Sequence, residues 1–360
     1  MLITWFGAGL FLTLFPPIRG NSIAKDKNHS KIVTVFHPRA TDGTGGKDND
    51  NLNDNAVKQM VDEGVKAFTG KKDLKEAWTE IIPDPNKKIA IKINCQIQGI
   101  YTKAKVVKPI TDGLILRGVK PDNIIIYDKT DNAFSYAGFS KNLDSGIKVG
   151  TVKDFGGYHR FFFSRIAKLL NGGFSNSLFN SIDYIYHNTT SSLLKYLASL
   201  ILSTTKSEFN CEYLINVPVL KAIDGYAGVS LSMKNHYGSI ANPSEHHNDF
   251  TDFIPYLNSQ PQIRDKTRLI IMDAIFVEYK WQNGRKQDYV DILNKIIISD
   301  DTVAIDYTGW QLIEMKRKEH GLPPATPEPL FIEKAKAIGL GNNNQAQIEN
   351  LYLNIKANNA

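Results

Sequence analysis

Six short runs in this chain are almost continuously aliphatic: Lys31–Phe36 (KIVTVF), Ile89–Asn94 (IAIKIN), Asn123–Asp128 (NIIIYD), Tyr213–Leu220 (YLINVPVL), Leu269–Val277 (LIIMDAIFV) and Lys295–Ser299 (KIIIS). A strand that is apolar at nearly every residue, rather than at alternate ones, has both faces covered, as in a sheet held between helical layers. Segments with a helical period lie between and after these runs. Asn55–Thr69 repeats Val57, Met60, Val61, Val65 and Phe68 on one face, with Gly70 placed to end it. Val106–Leu116 reads as a second helix ended near Gly118, and Asp301–Met315 as a third that starts on an N-cap-like Asp301. Phe331–Ala337 follows a proline-rich connector as a last short helix. The β-α-β order predicts an α/β, Rossmann-like architecture with a mostly parallel sheet and helices on both faces. Ligands gather at the carboxyl ends of strands in such sheets, where Asn94, Cys95, Asp128 and Lys129 stand.

The 360 residues carry 43 Lys+Arg against 37 Asp+Glu, a formal charge of +6. No run of five or six basic residues occurs, so the excess argues against a nucleic-acid partner and for weak attraction of anions. Two cysteines, Cys95 and Cys211, are too few for a four-thiolate zinc or iron–sulfur site, and no iron–sulfur cluster is expected. They make either one disulfide or two buried thiols.

Leu2–Phe15 is uncharged and apolar, shorter than a membrane span and of the length of a signal-peptide core. Pro16-Pro17 breaks it, and Ser22-Ile23-Ala24 offers a small-x-small cleavage pattern before Lys25. No Lys or Arg precedes the run, so residues 1–24 read as a signal peptide missing its basic start, as an apolar anchor, or as a buried first helix. The first two place the protein outside the cytoplasm, in the periplasm or cell envelope. Residues 25–360 read as one domain with an aromatic-rich insertion at about 158–206, which contains Phe161-Phe162-Phe163, Gly172-Gly173, Phe174, Phe179, Tyr184 and Tyr186. That insertion is either packed on the sheet, a lid, a membrane-facing surface, or a docking surface for an envelope partner. The loop at Asp42–Asp50 has neither P-loop nor EF-hand spacing, and no G-x-S-x-G, H-E-x-x-H or G-x-G-x-x-G set occurs.

The densest candidate chemistry runs from Asn216 to Gly238. A strand ends at Lys221, Gly225 and Gly228 loosen the backbone, and Lys234-Asn235-His236 follows. Lysines beside free backbone N–H groups form a cradle for phosphate or carboxylate. Val229, Leu231 and Met233 alternate as in a strand, yet the preceding glycine suits a helix start equally. His236, His246 and His247 are candidate ligands for a divalent metal. His247 is alternatively a single acid or base, with Asp273 or Asp306 either orienting it or acting as helix caps.

IKINC (Ile91–Cys95), GVKPDNIIIYDKTD (Gly118–Asp131), Ala137-Gly138-Phe139, LINVPVLK (Leu214–Lys221), AGVSLSMKNHYGSI (Ala227–Ile240), His247 and DDTVAIDYTGWQLIE (Asp300–Glu314) together resemble the DUF362 family, particularly its exported single-domain members. The pattern of Lys221, Lys234, Asn235 and Gly238 is its most specific part. The resemblance implies an α/β fold, an export signal that is often of the twin-arginine type, and no settled activity. The twin arginines are absent here, as in a truncated signal, and so are the four-cysteine iron–sulfur modules of some relatives. The expectation is an exported protein that binds an anionic small molecule and is a candidate for converting it. Lys221, Lys234 and His247 are its candidate catalytic groups, and Asn94, Asn235, Gly225, Gly228 and Asp128 its candidate ligand contacts. A non-catalytic envelope accessory protein and a metal-dependent enzyme built on the histidines are the competing expectations.

Overall fold

The computed structural model describes residues 29–43, 51–96, 100–155, 211–240, 243–281 and 288–356. The apolar segment 1–24, the aromatic stretch 158–206 and most of the loop at 42–50 lie outside the described residues.

The aliphatic runs form β1 (Ser30–Phe36), β2 (Ile89–Ile93) and β3 (Ile124–Asp128). Further along, β4 (Lys148–Thr151) precedes β5 (Tyr213–Val217), β6 (Val219–Ile223) and β7 (Gly228–Ser230). Last come β8 (Thr267–Glu278), β9 (Val290–Ser299) and β10 (Ile348–Asn354). All ten belong to one sheet, ordered β10-β1-β9-β8-β5-β2-β3-β4, with β6 paired to both β7 and β8.

The run β4-β3-β2-β5-β8 is parallel throughout. Beyond it β9 is antiparallel to both β8 and β1, so the sheet is mixed and the expectation of a mostly parallel one is corrected. The reason is connection length. Only Tyr279 to Tyr289 separate β8 from β9, too short a stretch for the dozen or more residues of a parallel crossover. The Tyr213–Leu220 run is also two strands rather than one. Pro218 has no N–H to give the ladder, and the chain steps there from β5 onto β6, so that β8 pairs with β5 along its first half and with β6 along its second.

Side chains alternate between the two faces of the sheet, and on the second face Ala90, Ile125, Tyr127 and Leu214 form a smaller cluster of their own. Ile89, Ile91 and Ile93 of β2 face one core, which they share with α1 (Asp54–Thr69), α2 (Leu74–Ile81) and α3 (Ala104–Arg117). On the other face lie α4 (Ser232–Asn235), α5 (Phe250–Ser259), α6 (Pro261–Arg264), α7 (Thr302–Glu319) and α8 (Phe331–Ala337), with Ile270, Met272 and Ile297 beneath them. Helices therefore cover both faces, as expected. Asn53 caps α1, Gly70 ends it at φ 72°, and Asp301 caps α7 through the Val303 and Ala304 N–H groups. The undecided element after Gly228 is both things in turn: β7, then α4. No helix among the described residues is long and apolar enough to cross a membrane.

Candidate functional site

Strand order reverses between β2 and β5: β3 and β4 continue on one side, β8 on the other. The carboxyl ends of these two strands therefore border a crevice, the place where open α/β sheets receive ligands. Ala90 and Lys92 of β2 turn away from the isoleucine core, and Lys92 is 1% exposed. A buried ammonium needs partners for all three protons. Lys92 Nζ donates to the Ile93 carbonyl at 2.6 Å, to Asp128 Oδ1 at 2.7 Å and to Asn235 Oδ1 at 3.1 Å. Asp128 also accepts from the Cys95 and Lys129 N–H groups, so it ties the ends of β2 and β3 together. Asn235 Nδ2 donates to Asn216 Oδ1 at 2.7 Å, and Asn216 Nδ2 donates to the Ser232 carbonyl and to His236 Nε2. His236 Nε2 must then be the acceptor, which puts the ring proton on Nδ1. Burial, with the Lys92 charge, lowers His236 to about 3, so the ring is neutral.

Asp306, on α7, builds the floor beneath this lattice. Its carboxylate accepts from Ser232 N, Ser232 Oγ and Met233 N and so caps α4 from a distant helix. Burial outweighs these bonds and raises Asp306 to about 7. Asp273 likewise accepts from the Lys103 and Ile275 N–H groups. Both aspartates thus hold backbone, which is the capping alternative.

Gly238 completes the enclosure. A Cβ at this position would stand 2.7 Å from both Lys92 Nζ and Asp128 Oδ1. Gly238→Ala should therefore lower stability by about 1–3 kcal/mol, the range for overpacking a filled interior, as read by urea unfolding. A variant as stable as the parent would show that the pair has room to move.

Beside this neutralised lattice lies a set of cations that it does not neutralise. Lys221, on β6, is buried and donates to Asn94 Oδ1 at 3.1 Å. Glu278 stands opposite it in the β6–β8 register. Burial raises Glu278 to about 7 against the pull of Lys221 and of the Ile100 N–H, and its Oε2 is buried without a hydrogen bond among the described residues. Burial also lowers Lys221, more than Glu278 and Asp128 raise it. Lys234 is different. Its ammonium lies 5.0 Å from the Tyr237 ring centre and 5.3 Å from that of Phe250, and no carboxylate or hydrogen-bond acceptor among the described residues meets it. Burial and then the nearby Lys221 charge bring it down to about 7. His247 packs between Tyr237, Phe250 and Tyr226, and burial, Lys234 and Lys129 lower its pKa. Asn94, Lys221, Lys234 and His247 therefore gather at one end of the sheet, with Asn235 and Asp128 in the lattice below.

The three histidines occupy three settings. His236 belongs to the lattice, His246 stacks on Phe253 at 3.5 Å, and His247 sits in the aromatic wall. Among the described residues, no group of three or more His, Cys, Asp or Glu is placed to hold a metal ion. Gly225 and Gly228 shape the turn between β6 and β7, and a Cβ at Gly228 would come within 2.1 Å of the Pro327 carbonyl. Of the two cysteine alternatives, the structure has buried free thiols at Cys95 and Cys211.

Comparison with family models matches residues 179–311 to a domain of unknown function, DUF362. The match spans a little over a third of the chain and supports the resemblance to DUF362 through this segment. The matched DUF362 segment contains Lys221, Lys234, Asn235, His247 and Glu278, and stops short of Lys92, Asn94 and Asp128, which earlier strands supply. Neither the comparison with curated proteins nor that with solved structures finds a significant match.

Lys92, Asn216 and Glu278 are the participants that sequence reasoning missed. Lys92 carried a usable signal, because a single lysine inside an isoleucine strand must be buried and must therefore be paired.

Proposed function

We propose that this DUF362-like protein binds a small anionic molecule between Lys221 and Lys234, at the carboxyl ends of the central strands. One observation carries the reading: Lys234 is an ammonium held against two aromatic rings and within reach of the Lys221 charge, with no counter-charge of its own among the described residues. The Lys221 charge repels that of Lys234, and an anion between them removes that repulsion while giving Lys234 an acceptor. Asn94 orients Lys221, the lattice around Lys92 fixes α4, and α4 carries Lys234. A lysine that titrates near neutrality also has the protonation behaviour of a general acid or base, so the same group is the candidate for any conversion of the bound anion.

Sulfate tests this, since its charge is constant across the neutral range. The expected result is saturable binding of one sulfate per chain, tightest below about pH 7, where Lys234 is protonated. A bound anion favours the charged form and raises the Lys234 pKa. Affinity should then fall up to about tenfold per pH unit above neutrality until the raised pKa is passed. Protonation of His247 and Glu278 on the acid side acts in the same direction. Calorimetric titration at several pH values reads this, and an affinity that rises with pH would contradict it.

A further inference from the structure

Next to the anion site is a cleft that a simple anion would not fill. Tyr226, His247, Phe250, Pro327 and Phe331 line an opening of about 190 Å³. Its aromatic side is formed by Tyr226, His247, Phe250 and Phe331, with Tyr226 edge-on to His247 at 5.7 Å and to Phe250 at 6.3 Å, while Asn248, Thr251 and Glu328 make part of the wall polar. The cleft and the cation share a wall, because the Phe250 ring that lines the cleft is the one 5.3 Å from Lys234 Nζ. Tyr226 remains 37% exposed although His247, Phe250 and Trp281 surround it, which leaves one side open to whatever enters. Glu328 stands exposed at the rim. Its charge repels the acid group of an entering molecule and leaves the Lys234 end as the favoured place for it.

Size narrows the occupant. An apolar cavity of about 150 Å³ holds a benzene ring, whereas drug-sized ligands need about 300 Å³ or more. We infer that the ligand of this protein is an organic acid carrying one ring, with the ring seated against Tyr226, Phe250 and Phe331 and the acid group on Lys234. The inference rests on the anion-binding reading and adds the ligand class to it.

Methanesulfonate and benzenesulfonate separate the two ideas, because both carry one permanent negative charge and differ in the ring. Titrated into the full chain, benzenesulfonate should bind about tenfold more tightly, the effect of burying most of one ring face. The two probes should displace each other. Tyr226→Ala should weaken benzenesulfonate more than methanesulfonate, so that most of the preference is lost. Equal affinities in the parent chain, or a loss in Tyr226→Ala that is the same for both probes, would overturn the ring pocket while leaving the anion site standing. Absence of saturable binding by either probe would overturn both.

Discussion

Replacing Lys92 by Met should lower the unfolding free energy by about 3–5 kcal/mol, the range for removing one partner of a buried ion pair. The magnitude follows from burial. Lys92 and Asp128 are 1% and 3% exposed, and removal of the ammonium leaves the Asp128 carboxylate with backbone N–H groups alone. Asn235 loses a donor in the same step, which frees the α4 end of the lattice. A second change tests the cause. The double variant Lys92→Met with Asp128→Asn removes the stranded charge and keeps one acceptor oxygen for the Cys95 or the Lys129 N–H, and should recover part of the loss. Urea unfolding of the four proteins in the cycle measures this. If Lys92→Met costs less than about 1 kcal/mol, or if the double variant is as unstable as the sum of the two single changes, the pair does not hold the site together.

The second large effect concerns binding. Lys234→Met preserves the aliphatic stem against Tyr237 and Phe250 and removes only the charge. Sulfate affinity should fall by about 10–100-fold, as expected for losing one charge-assisted contact of about 1.5–3 kcal/mol. Stability should change little or rise, since Lys234 has no acceptor to abandon among the described residues and its repulsion with Lys221 disappears. Lys221→Met should weaken sulfate binding comparably. It should also disturb Glu278, which would be held neutral to a higher pH without the lysine that opposes its burial. The two variants therefore differ in stability while agreeing in binding, a pattern that a purely structural role for both lysines does not produce.

The central sheet was legible because its strands are apolar on both faces, and Ile89–Ile93 and Ile124–Asp128 emerge almost as the aliphatic runs end. What escaped was whatever depends on distance along the chain. The antiparallel placement of β9 is a matter of connection length, and β10 is an edge strand with an exposed outer face and no continuous apolar run. β4, four residues with a glycine among them, carries too little pattern to announce itself.

The same division runs through the site. Lys221, Lys234 and Asn235 stand out because a lysine follows an apolar run and a Lys-Asn-His triplet comes soon after it, although Lys221 proves to be the middle residue of β6 rather than a strand end, and the triplet closes α4. Glu278 meets Lys221 only through the β6–β8 register, and no local pattern specifies that register. Asp306 reads as a helix-start residue, yet the helix it caps is α4, far away in sequence. The glycines at 225 and 228 look like part of a phosphate cradle, whereas Gly228 is needed where the Pro327 carbonyl presses on the turn.

The most direct measurement is the titration of Lys234 itself by heteronuclear NMR of the lysine side chains, with and without saturating sulfate, and with Lys234→Met to assign the signal. The account predicts a midpoint near 7 without the anion and a clear rise when sulfate is bound. An ordinary lysine midpoint that sulfate leaves unmoved would contradict it.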